Sequence, residues 1–267
     1  MNAARPTIFS FFSGAGFLDL GFEDMGYEVA YVNEFHKPFL DAYQHSRAIM
    51  GHPEPRFGYD SRSIEEISAS DLKSGIKTAR EEGQIVGFIG GPPCPDFSVG
   101  GKNRGKEGEN GNLSKVYVDL ICQAQPDFFL FENVKGLYRT KKHREFFEKL
   151  KSKLKRSGFL LHERLINSIE YGAPQDRDRI ILIGFRAREL AKTFDWNARI
   201  FPERTAFGFE WPTTAPFKQG SIVPQPNSVP IELTVQHWFE KNDVSKHPNG
   251  KHCFTPRAGL ARFLSVD

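Results

Sequence analysis

The chain has 267 residues, enough for one large domain or for one domain with a smaller companion. Its net charge of +3, from 36 Lys and Arg against 33 Asp and Glu, permits a nucleic-acid partner but does not require one. The three scattered cysteines exclude a disulfide framework and a paired-cysteine zinc site, and no apolar run is long enough for a signal peptide or a membrane span, so a cytoplasmic location is predicted.

Short apolar runs alternate with amphipathic stretches, which is the pattern of βαβ units and a mostly parallel sheet. The predicted strands are 7–12, 28–33, 85–89, 127–131, 159–167 and 178–185. The predicted helices are 18–25, 38–45, 113–124 and 142–157, the last of them basic and amphipathic. The polar stretch 99–112 is predicted to be a functional or disordered loop. These elements predict an α/β fold with a doubly wound, mostly parallel sheet.

The turn SGAG joins the first predicted strand to the first helix. Glycines at such a turn let the backbone approach a ligand, and the helix amino end favours negative charge. Asp19 stands where the dinucleotide fingerprint has its third glycine, which argues against a pyrophosphate cofactor. Glu34 follows the second strand, where an acid can bind both hydroxyls of a ribose. Together they predict an adenosyl cofactor without a pyrophosphate; the alternative is a tight turn and a solvated acid.

Three further groups of residues are candidates for chemistry. Cys94 lies between prolines in GGPPCPDFS, after a strand and before a polar loop, where nucleophiles are presented, although a free cysteine is most often a small buried hydrophobe. Glu132 follows the apolar run FFLF and is either a surface acid or a buried acid with a partner. Gln175, Arg177 and Arg179 alternate along an extended segment and share one face, which is also the pattern of a plain surface strand.

Taken in order, SGAG, the strand-end Glu34, PPC, ENV and QxRxR resemble the DNA cytosine-5 methyltransferase family, of the bacterial modification-methylase type, across about residues 7–186. The resemblance implies the fold of S-adenosylmethionine-dependent methyltransferases, S-adenosyl-L-methionine as cofactor and no metal. It also implies double-stranded DNA as partner, base flipping, a restriction-modification system, and a location at the nucleoid in the bacterial cytoplasm.

The family's functional residues carry over to positions of this chain. Catalysis is assigned to Cys94, as the nucleophile that forms a covalent adduct with a flipped cytosine, and to three residues around the base, Glu132, Arg177 and Arg179. Cofactor binding is assigned to Phe12, Gly14, Gly16, Leu18, Glu34, Phe35, Asp60, Pro93 and Leu113. DNA binding is assigned to Ser98, Lys102, Arg104, Lys106 and Gln175.

Two residues depart from the family pattern. Pro95 follows the predicted nucleophile where the family most often has Gln, which affects loop contacts to DNA rather than the chemistry. Phe17 stands where Gly is frequent, which affects how the first helix packs on the cofactor.

The resemblance also divides the chain. Residues 1–187 are predicted to form the catalytic, cofactor-binding domain, and residues 188–267 the start of a small, irregular target-recognition region. Nothing after Phe254 matches the family's closing motifs, so we expect a truncated chain or one part of a split enzyme, with a carboxyl-terminal segment or second subunit as a further partner. The alternatives are a tRNA cytosine-5 methyltransferase, a non-catalytic cofactor-binding fragment and, more distantly, a nucleotide-dependent oxidoreductase.

Overall fold

The computed structural model describes residues 6–93, 109–138, 141–168 and 177–186. The strands are β1 (Thr7–Phe11), β2 (Glu28–Asn33), β3 (Tyr59–Asp60), β4 (Val86–Gly90), β5 (Phe128–Val134), β6 (Leu160–Asn167) and β7 (Asp178–Phe185). The helices are α1 (Phe17–Asp24), α2 (Lys37–Met50), α3 (Ala69–Glu81), α4 (Glu109–Ala124) and α5 (Lys141–Arg156), with short 3₁₀ turns at Ile64–Glu66 and Lys135–Tyr138.

The seven strands form one sheet in the order β3-β2-β1-β4-β5-β7-β6. The pairs from β3 to β5 are parallel, whereas β7 runs antiparallel to β5. Strand order reverses between β1 and β4, and open α/β sheets bind their ligands outside the carboxyl ends of the strands at such a point. The topology therefore places a ligand site above β1 and β4.

Helices cover both faces of the sheet. One face packs the apolar side chains of α3, α4 and α5, and the other packs those of α1 and α2. Every residue of β1 and β4 is buried, as expected for strands covered on both sides. Phenylalanines dominate this core, among them Phe9, Phe11, Phe88, Phe129 and Phe131. The doubly wound α/β prediction is confirmed.

The structure corrects three details of the predicted elements. β5 continues to Val134, so Glu132 lies within the strand rather than after it. α4 begins at Glu109, so the loop predicted over 99–112 is wrong for residues 109–112. Residues 99–108 of that loop lie outside the described part of the chain. α3 is absent from the predicted elements, although its buried residues Leu72, Ile76 and Ala79 follow helical spacing and a capping box from Ser68 and Asp71 begins it.

The chain divides into two compact units, one of Met1–Ile166 with Asp178–Ala198 and one of Asn167–Arg177 with Arg199–Asp267. The boundary expected after residue 187 remains a prediction. Within the described ranges, no helix is both long and apolar enough to cross a membrane.

Candidate active site

The described functional residues gather along one edge of the sheet. This site edge is formed by the carboxyl ends of β1, β2, β4 and β5 and by the amino end of β7, since β7 runs in the opposite direction. Parallel pairing brings the residues after β1, β2 and β4 side by side although they are far apart in sequence. The edge therefore unites most of the described residues predicted to bind a cofactor or act in catalysis.

The turn after β1 has an unusual backbone. Phe12, Gly14 and Gly16 have positive φ angles of 52°, 57° and 90°, and such values are uncommon for a non-glycine residue such as Phe12. A Cβ at Gly14 would meet no atom within 4 Å, whereas one at Gly16 would lie 2.7 Å from the ring of Tyr43. Gly14 thus leaves its backbone open to a ligand, and Gly16 allows α2 to pack directly beneath the turn.

Glu34 fastens this turn to the end of β2. One carboxylate oxygen accepts the Gly14 N–H at 2.8 Å and the other accepts the His36 N–H at 2.7 Å. The residue is only 8% exposed, whereas the adjacent Phe35 is 70% exposed. Each carboxylate oxygen keeps a lone pair for a further donor. The turn therefore presents a fixed carboxylate beside an exposed aromatic ring.

Asp60 lies beside this arrangement at the end of β3, and its carbonyl oxygen accepts the Glu34 N–H at 3.1 Å. Its carboxylate accepts the Tyr31 hydroxyl at 2.9 Å and two guanidinium nitrogens of Arg62, the closer at 2.7 Å. Burial opposes ionisation here, but the hydrogen bonds from Arg62 and Tyr31 outweigh it and lower the pKa of Asp60. These partners occupy both oxygens, and the assignment of Asp60 to cofactor binding remains a prediction.

Glu132 and Arg179 form an ion pair across β5 and β7. Glu132 is opposite Ile181 in the antiparallel register, so Arg179, two residues earlier, is its diagonal neighbour on the same face. Arg179 Nε lies 2.6 Å from Glu132 Oε1, and their side chains are 18% and 29% exposed. A Cβ at Gly91 would lie 2.9 Å from Glu132 Oε2. The acid thus lies against the segment that leads from β4 to the predicted nucleophile.

Asn133 is a site residue that the sequence reasoning did not single out. It is buried at the end of β5, and its side-chain amide donates to the Pro92 carbonyl at 3.3 Å. Its Oδ1 accepts the Val134 N–H at 2.8 Å. The asparagine in ENV therefore connects β5 to the proline segment. Its position next to the predicted catalytic residue Glu132 is the sequence signal that could have identified it.

The other predicted site residues have mixed outcomes. Pro93 is exposed just beyond β4, and Leu18 and Leu113 are half-buried, Leu113 against the core below the site edge. Arg177 is exposed before β7, and its catalytic role remains a prediction. The predicted residues that lie outside the described ranges are Cys94, Ser98, Lys102, Arg104, Lys106 and Gln175.

Asp19 belongs to a buried polar network below the glycine turn. It is 0% exposed and accepts hydrogen bonds from Ser10 Oγ at 2.7 Å and from Tyr43 Oη at 2.8 Å. Burial raises the pKa of Asp19 to about 6, against the lowering effects of these hydrogen bonds and of Arg47. Arg47 also pairs with Glu23. Tyr43 thus fills the space under α1, while Phe17 is exposed.

Comparisons with known proteins identify the chain's relatives. The model of the C-5 cytosine-specific DNA methylase family matches residues 7–257. The Type II methyltransferase M.NmeDI of Neisseria meningitidis serogroup C is 57% identical over 269 residues, which cover 98% of this chain and 63% of that protein. M.FnuDI of Fusobacterium nucleatum, also a Type II methyltransferase, is 35% identical over 67% of this chain and 46% of that protein.

A solved structure supports the same relationship. A crystal structure described as a DNA modification methyltransferase encoded within a prophage of E. coli matches with a TM-score of 0.55 at 25% identity, covering 70% of this chain and 48% of that one. The present chain thus spans less than two thirds of the length of these relatives. Its sequence and its fold agree that the chain belongs to the C-5 cytosine-specific DNA methylase family.

Proposed function

We propose that this chain carries the catalytic part of an S-adenosylmethionine-dependent DNA cytosine-5 methyltransferase of a restriction-modification system. The observation that supports it most directly is the Glu132–Arg179 pair, which lies against Gly91 on the segment that leads to Cys94. Family membership and the Type II relatives point in the same direction. Such an enzyme works on nucleoid DNA in the bacterial cytoplasm.

The turn after β1 fits S-adenosylmethionine. Glu34 offers two fixed acceptors for ribose hydroxyls, and Phe35 offers an exposed ring for the adenine. The hydroxyl of Ser13 is buried in the same turn and has no hydrogen-bond partner among the described residues, so a ligand with a polar group would satisfy it. When bound, the cofactor supplies a methyl group activated by a positively charged sulfur.

Cytosine carbon 5 is a weak nucleophile, and the chain's own residues would activate it. The Cys94 thiolate adds to carbon 6, so that a sulfur–carbon bond forms and the ring electrons shift toward carbon 5. A proton from Glu132 at ring nitrogen 3 and the Arg179 guanidinium at the carbonyl oxygen would stabilise the displaced charge. Nitrogen 3 and the carbonyl oxygen are both bonded to ring carbon 2, so their partners must also lie side by side, as the ion pair does.

Proton transfer by Glu132 requires that Arg179 release or share the Glu132 carboxylate when the base enters the site. After methyl transfer, a base removes the carbon 5 proton, the carbon–sulfur bond breaks, the thiolate leaves and ring nitrogen 3 returns its proton to Glu132. Because none of these atoms is accessible in a stacked duplex, the cytosine must be flipped out of the helix. Ser98, Lys102, Arg104, Lys106 and Gln175 are proposed to contact the DNA around it.

The test is trapping of the covalent adduct. Duplex DNA with 5-fluorocytosine at the target has no removable proton at carbon 5, so the protein should remain attached to it after methyl transfer. Cys94→Ser should abolish both the adduct and methylation while cofactor binding, measured by calorimetry, stays nearly unchanged. Parallel reactions with tRNA test the alternative substrate. Equal loss of cofactor binding and turnover in Cys94→Ser would show instead that the cysteine is structural.

A further inference from the structure

The chain segment that follows β5 is unusually basic. Lys135, Lys141, Lys142 and Arg144 are all exposed, and the sequence from Lys135 to Arg144 contains no Asp or Glu. These four charges exceed the net charge of +3 of the entire chain. Beyond them, α5 mixes both signs, beginning with Glu145 and Glu148. The positive charge is therefore concentrated at the start of α5.

The topology places this basic surface, defined as Lys135, Lys141, Lys142 and Arg144, at the site edge. β5 ends there at Val134, and the Lys135–Tyr138 turn follows directly. Lys135 Nζ lies 3.1 Å from the carboxylate of Asp178, the first residue of β7. Arg144 Nε donates to the Tyr138 carbonyl at 2.7 Å, which holds the start of α5 beside this turn. The surface thus adjoins the Glu132–Arg179 pair in the fold.

The opposite end of α5 lies at the far edge of the sheet. Gln125 precedes β5, and its side chain donates to the carbonyl of Ser157, just after α5, at 3.3 Å. A helix of 16 residues is about 24 Å long. Lys155 and Arg156 in its last turn are therefore exposed cations far from the site edge.

Charge placement within α5 distinguishes its two ends. The positive end of a helix dipole favours acids in the first turn and disfavours cations there. The first turn of α5 has no acid and carries three of the four cations, whereas the cations of the last turn suit the negative end. Because the dipole opposes the cations of the first turn, it does not account for their placement beside the site edge.

We propose that this basic surface binds phosphates of the DNA backbone beside the flipped cytosine. The inference rests on the proposed function and extends it, because none of these four residues belongs to the predicted DNA contacts. A polyanion reaching Glu132 must pass the same edge, and exposed Lys and Arg side chains bind phosphates without reading sequence. The surface should thus add affinity and orient the duplex, not select the target site.

The test compares two variants of equal charge. In Lys141→Gln/Lys142→Gln two cations are removed at the site edge, and in Lys155→Gln/Arg156→Gln two are removed at the far edge of the same helix. Binding of the whole chain to unrelated duplexes is measured by fluorescence anisotropy as salt is raised. Loss of two phosphate contacts should reduce the slope of log affinity against log salt by about 1.8 in the first variant. Between about 50 and 200 mM salt, the wild type should lose about tenfold more affinity than this variant.

The far-edge variant should keep the wild-type slope, and thermal unfolding should show both variants folded. Equal slopes in the two variants, or an unchanged slope in the first, would contradict the proposal that the basic surface binds DNA phosphates. The proposed methyltransferase function would not be affected. A wild-type chain that binds no duplex DNA would overturn both proposals. Methyl transfer to the same duplexes is measured in parallel. Its presence shows that only the basic-surface proposal has failed, and its absence together with absent binding shows that both proposals have failed.

Discussion

Asp19 should make the stability of the protein depend on pH in a predictable direction. Its pKa is raised from 3.8 to about 6 in the folded chain because burial disfavours the ionised carboxyl. Between these two values the folded state holds a proton that the unfolded state has released. The free energy of unfolding should therefore fall as pH rises from about 4 to about 6. At about 1.36 kcal/mol per unit, the total contribution is on the order of 3 kcal/mol.

Asp19→Asn removes this titration and keeps the shape of the side chain. An amide can accept from Tyr43 and donate to Ser10 Oγ, so the network retains its connections. Urea unfolding of both proteins across about pH 4 to 8 gives the difference in unfolding free energy. As pH rises, the unfolding free energy of Asp19→Asn should increase relative to that of the wild type by about 3 kcal/mol, and most of this change should occur below pH 7.

Asp71→Asn on α3 is the matched control. Hydrogen bonds from Ser68 lower the pKa of this exposed carboxyl, so its stabilising effect is present at higher pH and is lost as pH falls. Because this loss occurs at and below the ordinary carboxyl pKa of 3.8, the variant-minus-wild-type difference should stay nearly constant across the assayed pH range, unlike that of Asp19→Asn. A pH-independent difference for Asp19→Asn would show that the buried carboxyl does not titrate in this interval, and the account of its burial would be wrong.

Two glycine substitutions test the geometry of the site edge. In Gly91→Ala the new Cβ meets chiefly the end of the Glu132 side chain. We therefore expect a folded protein with little change in melting temperature but strongly reduced methyl transfer. Unchanged methyl transfer would show that Glu132 needs no fixed position. Gly16→Ala should destabilise the chain by at least about 1–2 kcal/mol in urea unfolding, because φ is +90° and the ring of Tyr43 is 2.7 Å from the new Cβ. Gly21→Ala, with open space on α1, should be neutral or stabilising by up to about 1 kcal/mol, and similar losses in both would contradict the packing argument.

Local signals in the sequence were enough for the glycine turn and for six of the seven strands that the structure describes; the two-residue strand β3 was not predicted. An apolar run followed by Gly14 or Glu34 identifies a strand end, and parallel pairing then unites such ends at one edge. The Glu132–Arg179 contact depends on an antiparallel register between distant segments, which composition and motif order do not specify. The Asp19 network joins residues of β1, α1 and α2 that meet only in the folded chain. From the sequence alone, Asp19 could be recognised only as the residue that replaces the third glycine of the fingerprint.

In the proposed mechanism, the diagonal pairing of Glu132 with Arg179 makes catalysis depend on the alignment of two strands. Side chains alternate between the faces of a sheet, so a slip of one residue between β5 and β7 would turn Arg179 to the opposite face. An insertion or deletion inside either strand would thus separate acid from guanidinium even if every residue type were kept. Among functional relatives, length changes should accumulate in the connections outside these strands, while the spacing from Phe128 to Glu132 and from Arg179 to Phe185 stays constant.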